Sequence, residues 1–236
     1  MLRFRLPRMV ISMRQHDAQE AFDLLLVHAA NAVDETAAAS LVARPLTAAE
    51  IHGSSPFWMI CGAVCRTTET CAACGHTSEA KLEHLHSVAM AIPAETSTIE
   101  EIFLRHWGLE PLDDLCPRAT CRAQSRRSKR TELIKWPQVL VVTLKRWRVL
   151  SMNPDRIQKD PTHVGFELAW SAEHDRPPYL LRSLIVHDGE AGGGHYTAYV
   201  RGQSNVWYFC DDWCSPRQVA VAEVLGAQAY LLFYER

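Results

Sequence analysis

Apolar residues recur at Ala18, Phe22, Leu25, Leu26, Ala29 and Val33, the spacing of one helical face between Gln15 and Val33. From Asp34 to Pro56 the chain is alanine-rich and polar by turns. Pro45 and Gly53 mark irregular connections there, around a short helix near Thr47 to Ile51. Phe57 to Thr68 and Ser78 to Ile92 are read as strands. Ile99 to Trp107 has helical spacing, after a turn-prone PAETS segment at 93–97. Val139 to Leu144 and Leu180 to Val186 are apolar on both faces, as central strands are, and Ala229 to Tyr234 supplies another strand. Arg122 to Lys135 is the one charge run, with Arg126, Arg127, Lys129 and Arg130 in its middle, and predicts a solvated edge. No internal repeat is present.

The stretch GGGHYTAYV at 192–200 passes from a glycine loop into alternating strand formers. Gly202 to Asn205 carries turn chemistry and Val206 to Asp212 reads as the returning strand, so the whole is a hairpin. Counted outward from that turn, His195 is seventh on one arm and Asp212 seventh on the other, with Asp211 one step nearer. Opposed residues have Cβ atoms roughly 5 Å apart, which suits a carboxylate that orients an imidazole and stabilises its protonated form. A register change of one residue exchanges Asp211 for Asp212. Exposed pairs of this kind are common and of little energetic consequence, so the pairing alone leaves a purely structural reading open.

At 236 residues, with 47% hydrophobic and 22% charged positions, the chain is globular in composition and long enough for one sizeable core or two small ones. A net charge of -2 gives no electrostatic case for nucleic acid or an anionic membrane. No apolar run approaches the length of a bilayer span. The opening MLRFRLPRMVISMRQHD holds four arginines and no acid before Asp17, but it lacks the serine enrichment and clean amphipathic face of a transit peptide. It reads as the beginning of the domain.

Cysteine usage adds the first specific chemistry. Of eight cysteines, four fall in two close pairs, Cys71/Cys74 followed by Gly75, and Cys116/Cys121. Short spacings of this sort let each turn donate two sulfurs to one tetrahedral zinc ion, while buried or unpaired thiols are the alternative. A closed four-thiolate site leaves no open position for a substrate water, so such a zinc would be structural. The chain is not small and has no signal peptide, which favours a reducing compartment over a disulfide framework. Cys61 and Cys65, outside the pairs, read as buried small hydrophobes.

Four separated stretches carry a resemblance: QHDAQEAFDLLL at Gln15 to Leu26, the two cysteine pairs, WPQVLVVTLKRW at Trp136 to Trp147, and LIVHDGEAGGGHYTAYV with WYFCDDW after it. In order and spacing, from about Gln15 to Tyr234, the chain resembles the ubiquitin-specific protease family of cysteine deubiquitinases. The resemblance implies an α+β, papain-like fold likened to a hand, whose palm holds an antiparallel sheet and whose fingers are a zinc ribbon. It implies a single, incomplete catalytic domain over residues 1–236, with the fingers inserted at 57–135 and the thumb largely missing. His195 would be the general base, Asp211 its orienting acid and Asp212 a second acid. Gln15 and Asp17 match the family's Q-x-D motif near the channel for the ubiquitin tail. Gly193 and Gly194 match the mobile loop where only small residues let that tail pass. Cys71, Cys74, Cys116 and Cys121 match the zinc ligands of the fingers. Ubiquitin or ubiquitinated proteins would be the partners, with no nucleic acid and no membrane, in the cytoplasm and/or nucleus.

The departures from that pattern set a second expectation. His16 stands where the family has a second glutamine, Ala21 where a larger apolar residue is usual, Cys210 replaces an aromatic, and the second cysteine pair is two residues longer than usual. The family's nucleophile lies in a G-N-T-C-Y block upstream of the Q-Q-D-A-Q-E block, and these residues contain no such block. The chain is therefore expected to carry base and orienter without the nucleophile, as a deubiquitinase remainder inactive by itself or as a non-catalytic ubiquitin-binding module. A relocated nucleophile at Cys61 or Cys65 is disfavoured, because buried thiols in strand segments are inert.

Overall fold

The runs that are apolar on both faces form the centre of the larger sheet, since a strand covered from two sides has no polar face to show. The structure, a computed structural model, describes residues 17–23, 25–26, 56–95, 97–121, 126–149, 157–171, 178–190 and 193–236. In chain order its elements are α1 (helical at 18–23 and 25–26), α2 (Pro56–Cys61), β1 (Ala63–Cys71), β2 (Lys81–Leu85), β3 (Val88–Ala91), β4 (Ser97–Thr98), α3 (Ile99–His106), β5 (Leu109–Leu112) and β6 (Arg127–Lys135). There follow β7 (Val139–Lys145), β8 (Trp147–Val149), β9 (Ile157–Lys159), β10 (Val164–Gly165), β11 (Ala169–Trp170), β12 (Tyr179–Glu190), β13 (Gly193–Arg201), β14 (Trp207–Cys210), β15 (Arg217–Val219), α4 (Val221–Leu225) and β16 (Ala229–Glu235). No helix of the described residues is long and apolar enough to cross a membrane.

The larger sheet runs β15-β14-β13-β12-β16-β7-β3, with β11 also paired to β12. Its pairs are antiparallel except β3 with β7, which run parallel. Leu140, Val142 and Leu144 of β7 and Leu231, Leu232 and Tyr234 of β16 are at most 1% exposed, so both faces are covered. Adjacent strand residues point to opposite faces, and two of them identify the covers. Tyr234 meets Trp170 edge to face, Trp170 in turn meets Phe103 of α3, and Phe233 meets Phe22 of α1 at 5.6 Å between ring centres. The helix α3 starts cleanly because Thr98 and Glu101 cap it reciprocally, side chain to backbone in both directions.

A second sheet, β2-β1-β6-β5, projects from the first. Three expectations change here. Phe57 to Thr68 is not one strand: it divides into α2 and β1 at Gly62, whose missing Cβ would lie 2.2 Å from the Trp58 carbonyl oxygen and 2.3 Å from its ring. A short apolar run does not by itself distinguish helix from strand. Ser78 to Ile92 likewise divides, giving β2 to the small sheet and β3 to the large one. The charge run is no edge: β6 lies between β1 and β5, and its cations meet acids on both neighbours. Arg127 pairs with Glu69 of β1 and with Asp114, Lys129 with Glu110 of β5 at 2.7 Å, and Glu132 with Arg66 of β1 at 2.8 Å. Opposite charges on neighbouring strands let an inner strand stay polar. The expected helix near Thr47 to Ile51 lies outside the described residues, as do Gln15, Ala29 and Val33.

Candidate active site

The hairpin β13–β14 places the candidate histidine. Ala198 opposes Cys210 and Arg201 opposes Trp207. The connecting loop is closed by the Gly202 amide on the Val206 carbonyl at 2.8 Å, with Asn205 in the left-handed region at φ 61°. It thus runs one residue further than the Gly202 to Asn205 turn read from the sequence, and the register moves by one. Continued beyond Cys210, that register sets Asp211 on the same side of the sheet as His195 and diagonal to it, within reach of a long side chain.

His195 Nε2 and Asp211 Oδ1 are 2.5 Å apart, whereas Asp212 Oδ2 lies 3.9 Å from Nδ1. Asp212 has φ 40°, and the Cys214 amide donates to the Asp211 carbonyl, so a tight turn carries Asp212 outward. With Nε2 held by Asp211, Nδ1 is the nitrogen left to serve another group. The Asp211 hydrogen bond raises the imidazole pKa; desolvation opposes this, and the charges of Asp211, Asp212 and Asp188 add to it. Asp188 sits directly across from His195 on β12. Among the described residues the ring's ion-pair partners are Asp211 and Asp212, and no thiol is hydrogen-bonded to it.

Gly193 and Gly194 begin β13, opposite Glu190 and Gly189. A Cβ on Gly194 would lie 2.3 Å from the Asp188 carbonyl oxygen and 2.3 Å from His187 Nε2. Close approach of three backbone or ring layers is what requires glycine there. Gly189, at φ 109°, needs it on conformational grounds as well.

Asp17 stands at the start of α1 and binds inward. One oxygen accepts the Gln19 amide at 2.8 Å, a helix N-cap, and both accept the Tyr230 hydroxyl at 2.8 and 2.9 Å. The Tyr196 hydroxyl donates to it at 3.2 Å. The carboxylate therefore ties the helix to β13 and β16. Burial, reinforced by the Asp17 charge, pushes the Tyr196 phenol up to about 12 and raises Tyr230 further. Sequence reasoning missed both tyrosines: Tyr196 directly follows His195, which is a weak hint, but nothing links Asp17 to a residue 213 positions away.

The four paired cysteines converge at the tip of the smaller sheet. Cys71 and Cys121 sulfurs are 3.9 Å apart, Cys74 and Cys116 sulfurs 3.8 Å, and all four lie within 4.8 Å of one another. Four thiolates at about 2.3 Å from a tetrahedral zinc would be about 3.8 Å apart, so the donor set and its spacing fit that ion. Gly75 takes φ 67° just after the first pair and its amide donates to the Cys71 carbonyl, which closes the knuckle. Cys61 and Cys65 are buried, and burial raises both thiol pKa values, the reverse of what a nucleophile needs.

A family model described as ubiquitin carboxyl-terminal hydrolase matches residues 4–234. The chain belongs to that family. Two relatives within it are the mouse ubiquitin carboxyl-terminal hydrolase 17-like protein C, 29% identical over 77% of this chain and 34% of its own, and Arabidopsis thaliana ubiquitin carboxyl-terminal hydrolase 9, 35% identical over 58% of this chain and 15% of its own. The chain thus spans about a third of the mouse hydrolase. Among solved structures, the SAGA Ubp8/Sgf11/Sus1/Sgf73 DUB module bound to ubiquitin aldehyde matches with a TM-score of 0.78 at 20% identity, over 98% of this chain and 51% of that one. A second structure of that module, bound to monoubiquitin, gives 0.77 at 21% identity over the same shares of the two chains. These likenesses establish the ubiquitin-specific protease fold for the described residues.

Proposed function

We propose that this chain is part of a cysteine deubiquitinase, supplying the base and its orienting acid for hydrolysis of ubiquitin isopeptide or thioester bonds. One observation carries the reading: Asp211 holds His195 by Nε2, which fixes the ring and leaves Nδ1 free to take a proton from a thiol. Asp211 also stabilises the imidazolium that such a transfer produces. Asp212, at 3.9 Å, assists through its charge. Asp17, by placing α1, serves the region near the tail channel, to which Gln15 belongs by its match to the Q-x-D motif alone, and Gly193 and Gly194 at the start of β13 form the small-residue segment past which the tail runs. The four-cysteine cluster takes structural zinc and holds the fingers, which within 57–135 are the sheet of β1, β2, β5 and β6, while β3 of the same stretch belongs to the larger sheet of the one catalytic domain. Eight unbridged thiols suit a reducing compartment, the cytoplasm and/or nucleus.

As an isolated 236-residue polypeptide, the chain lacks a thiol bonded to His195 among its described residues, so it binds ubiquitin without cleaving it at enzyme rates. Loss of a nucleophile in an analogous serine enzyme costs on the order of 10⁶ in rate. The test has two arms on the same preparation. A ubiquitin–fluorophore conjugate should remain uncleaved, and labelled ubiquitin should bind saturably below millimolar concentration. Cleavage at ordinary deubiquitinase rates refutes the inactive state; absence of saturable binding refutes the ubiquitin reading.

A further inference from the structure

Beside the candidate base lies a second histidine that the proposed chemistry does not use. His187 of β12 is 6% exposed, and its Nδ1 is buried without a hydrogen-bond partner among the described residues. Its ring is wedged edge-to-face between Tyr196, at 4.7 Å between centres, and Trp147, at 5.1 Å. The Lys159 ammonium donates to its carbonyl at 2.5 Å and fixes the backbone from below. A buried imidazole with an idle nitrogen is held here for its shape, since leaving a polar atom unpaired is costly.

The strand register shows what that shape does. His187 directly opposes Tyr196, which makes it the diagonal neighbour of Gly194 on the same face of the sheet. The ring occupies the space where residue 194 would carry a side chain, with Nε2 2.3 Å and Cε1 2.5 Å from an ideal Cβ position. An aromatic ring laid across a cross-strand glycine restores packing that the glycine lacks and keeps the strand end from fraying. The next residue is His195, pointing to the other face toward Asp211. The height of Gly194 over the His187 ring therefore sets where the His195 ring can meet its acid.

We propose that His187 is a positioning residue: its ring is the platform under Gly194 that holds the start of β13 in place and thereby keeps His195 against Asp211. This rests on the reading of His195 as the base for its catalytic meaning, but the geometry it asserts can be measured without any hydrolysis. Where such a platform is lost in a complete enzyme, a displacement of about 1 Å is enough to cost on the order of 10²-fold in rate.

The test follows the His195 imidazole titration and the amide exchange of residues 193–196 by NMR on the full 236-residue chain, in His187→Ala, His187→Phe, Gly194→Ala and the His187→Ala/Gly194→Ala double variant. His187→Ala should lower the His195 midpoint and speed exchange at 193–196 by about tenfold or more, while amides between β12 and β16 stay protected. His187→Phe keeps the ring and should preserve both readouts. Gly194→Ala should disturb both, because its methyl meets the His187 ring and the Asp188 carbonyl oxygen alike, and the double variant should recover only the share owed to the ring, since the carbonyl contact remains. An unchanged His195 midpoint in His187→Ala, or a loss in His187→Phe as large as in His187→Ala, overturns the proposal. Should His187→Ala not fold, His187→Phe decides it: a lowered His195 midpoint there overturns the proposal, and a preserved one supports it. Failure of the ubiquitin assays would leave these results standing, so the two readings fail separately.

Discussion

Asp17→Ala removes one carboxylate that closes three connections, and its cost can be worked from the structure. The helix loses its N-cap contact with the Gln19 amide, worth about 1 kcal/mol. The Tyr230 hydroxyl, on a residue 4% exposed, loses its acceptor, and a buried donor left unpaired costs about 1–3 kcal/mol. The half-buried Tyr196 can turn to solvent and adds little. The total is about 2–4 kcal/mol, or about 4–16 °C in Tm for a chain of this size. Thermal and urea unfolding measure it directly. Placing Asp17→Ala in a Tyr230→Phe background should reduce the loss to about that of the cap, near 1 kcal/mol. Ultraviolet titration supplies an independent check: the Tyr196 phenol, held up at about 12 by burial and then by the Asp17 charge, should titrate lower in Asp17→Ala. Equal losses in the wild-type and Tyr230→Phe backgrounds would show that the hydroxyl–carboxylate bond is not the source.

Purified chain should carry one zinc per molecule by elemental analysis. A strong chelator or Cys116→Ser should release the metal and loosen β1, β5 and β6, seen as faster amide exchange there, with β7 and β16 protected. Asp211→Asn should lower the His195 midpoint far more than Asp212→Asn, because the hydrogen bond at 2.5 Å is the main cause of its elevation. The sign of the linked stability follows: a raised histidine pKa stabilises the fold fully below about 6.5 and no longer above the folded value, so Asp211→Asn should cost stability in acid and converge with wild type as pH rises. Gly62→Ala should destabilise by about 2 kcal/mol or more, since its methyl meets the Trp58 carbonyl at 2.2 Å, and a smaller loss in chemical unfolding would mean that α2 shifts freely.

The long apolar runs were legible because burial on two faces leaves no ambiguity: Val139 to Leu144 and Ala229 to Tyr234 are adjacent central strands. Where apolar content was short or mixed, the pattern did not decide. Phe57 to Thr68 hides a helix because the conformation is fixed by Trp58 closing over Gly62, a contact invisible to periodicity. The polar strand β6 looked like an edge because its partners, Glu69, Glu110 and Arg66, are scattered over the chain, and only pairing reveals that charges on each strand answer those on the next.

The candidate site shows the same division at finer scale. Residue types and order announced a histidine near an acid, yet which acid depended on a single loop residue. Asn205 adopts a left-handed conformation, the turn lengthens by one, and the nearer acid becomes diagonal to His195 on its own face while Asp212 is swung out by the next turn. A shift of one residue in a strand exchanges faces, so local turn geometry outweighs any count along the chain. The supports of the site, Tyr230 on Asp17 and the His187 ring on Gly194, arise from pairing alone and leave no trace in the spacing of motifs. The chemistry of this hairpin is thus written in its residue types, and its geometry in contacts that only the folded sheet assembles.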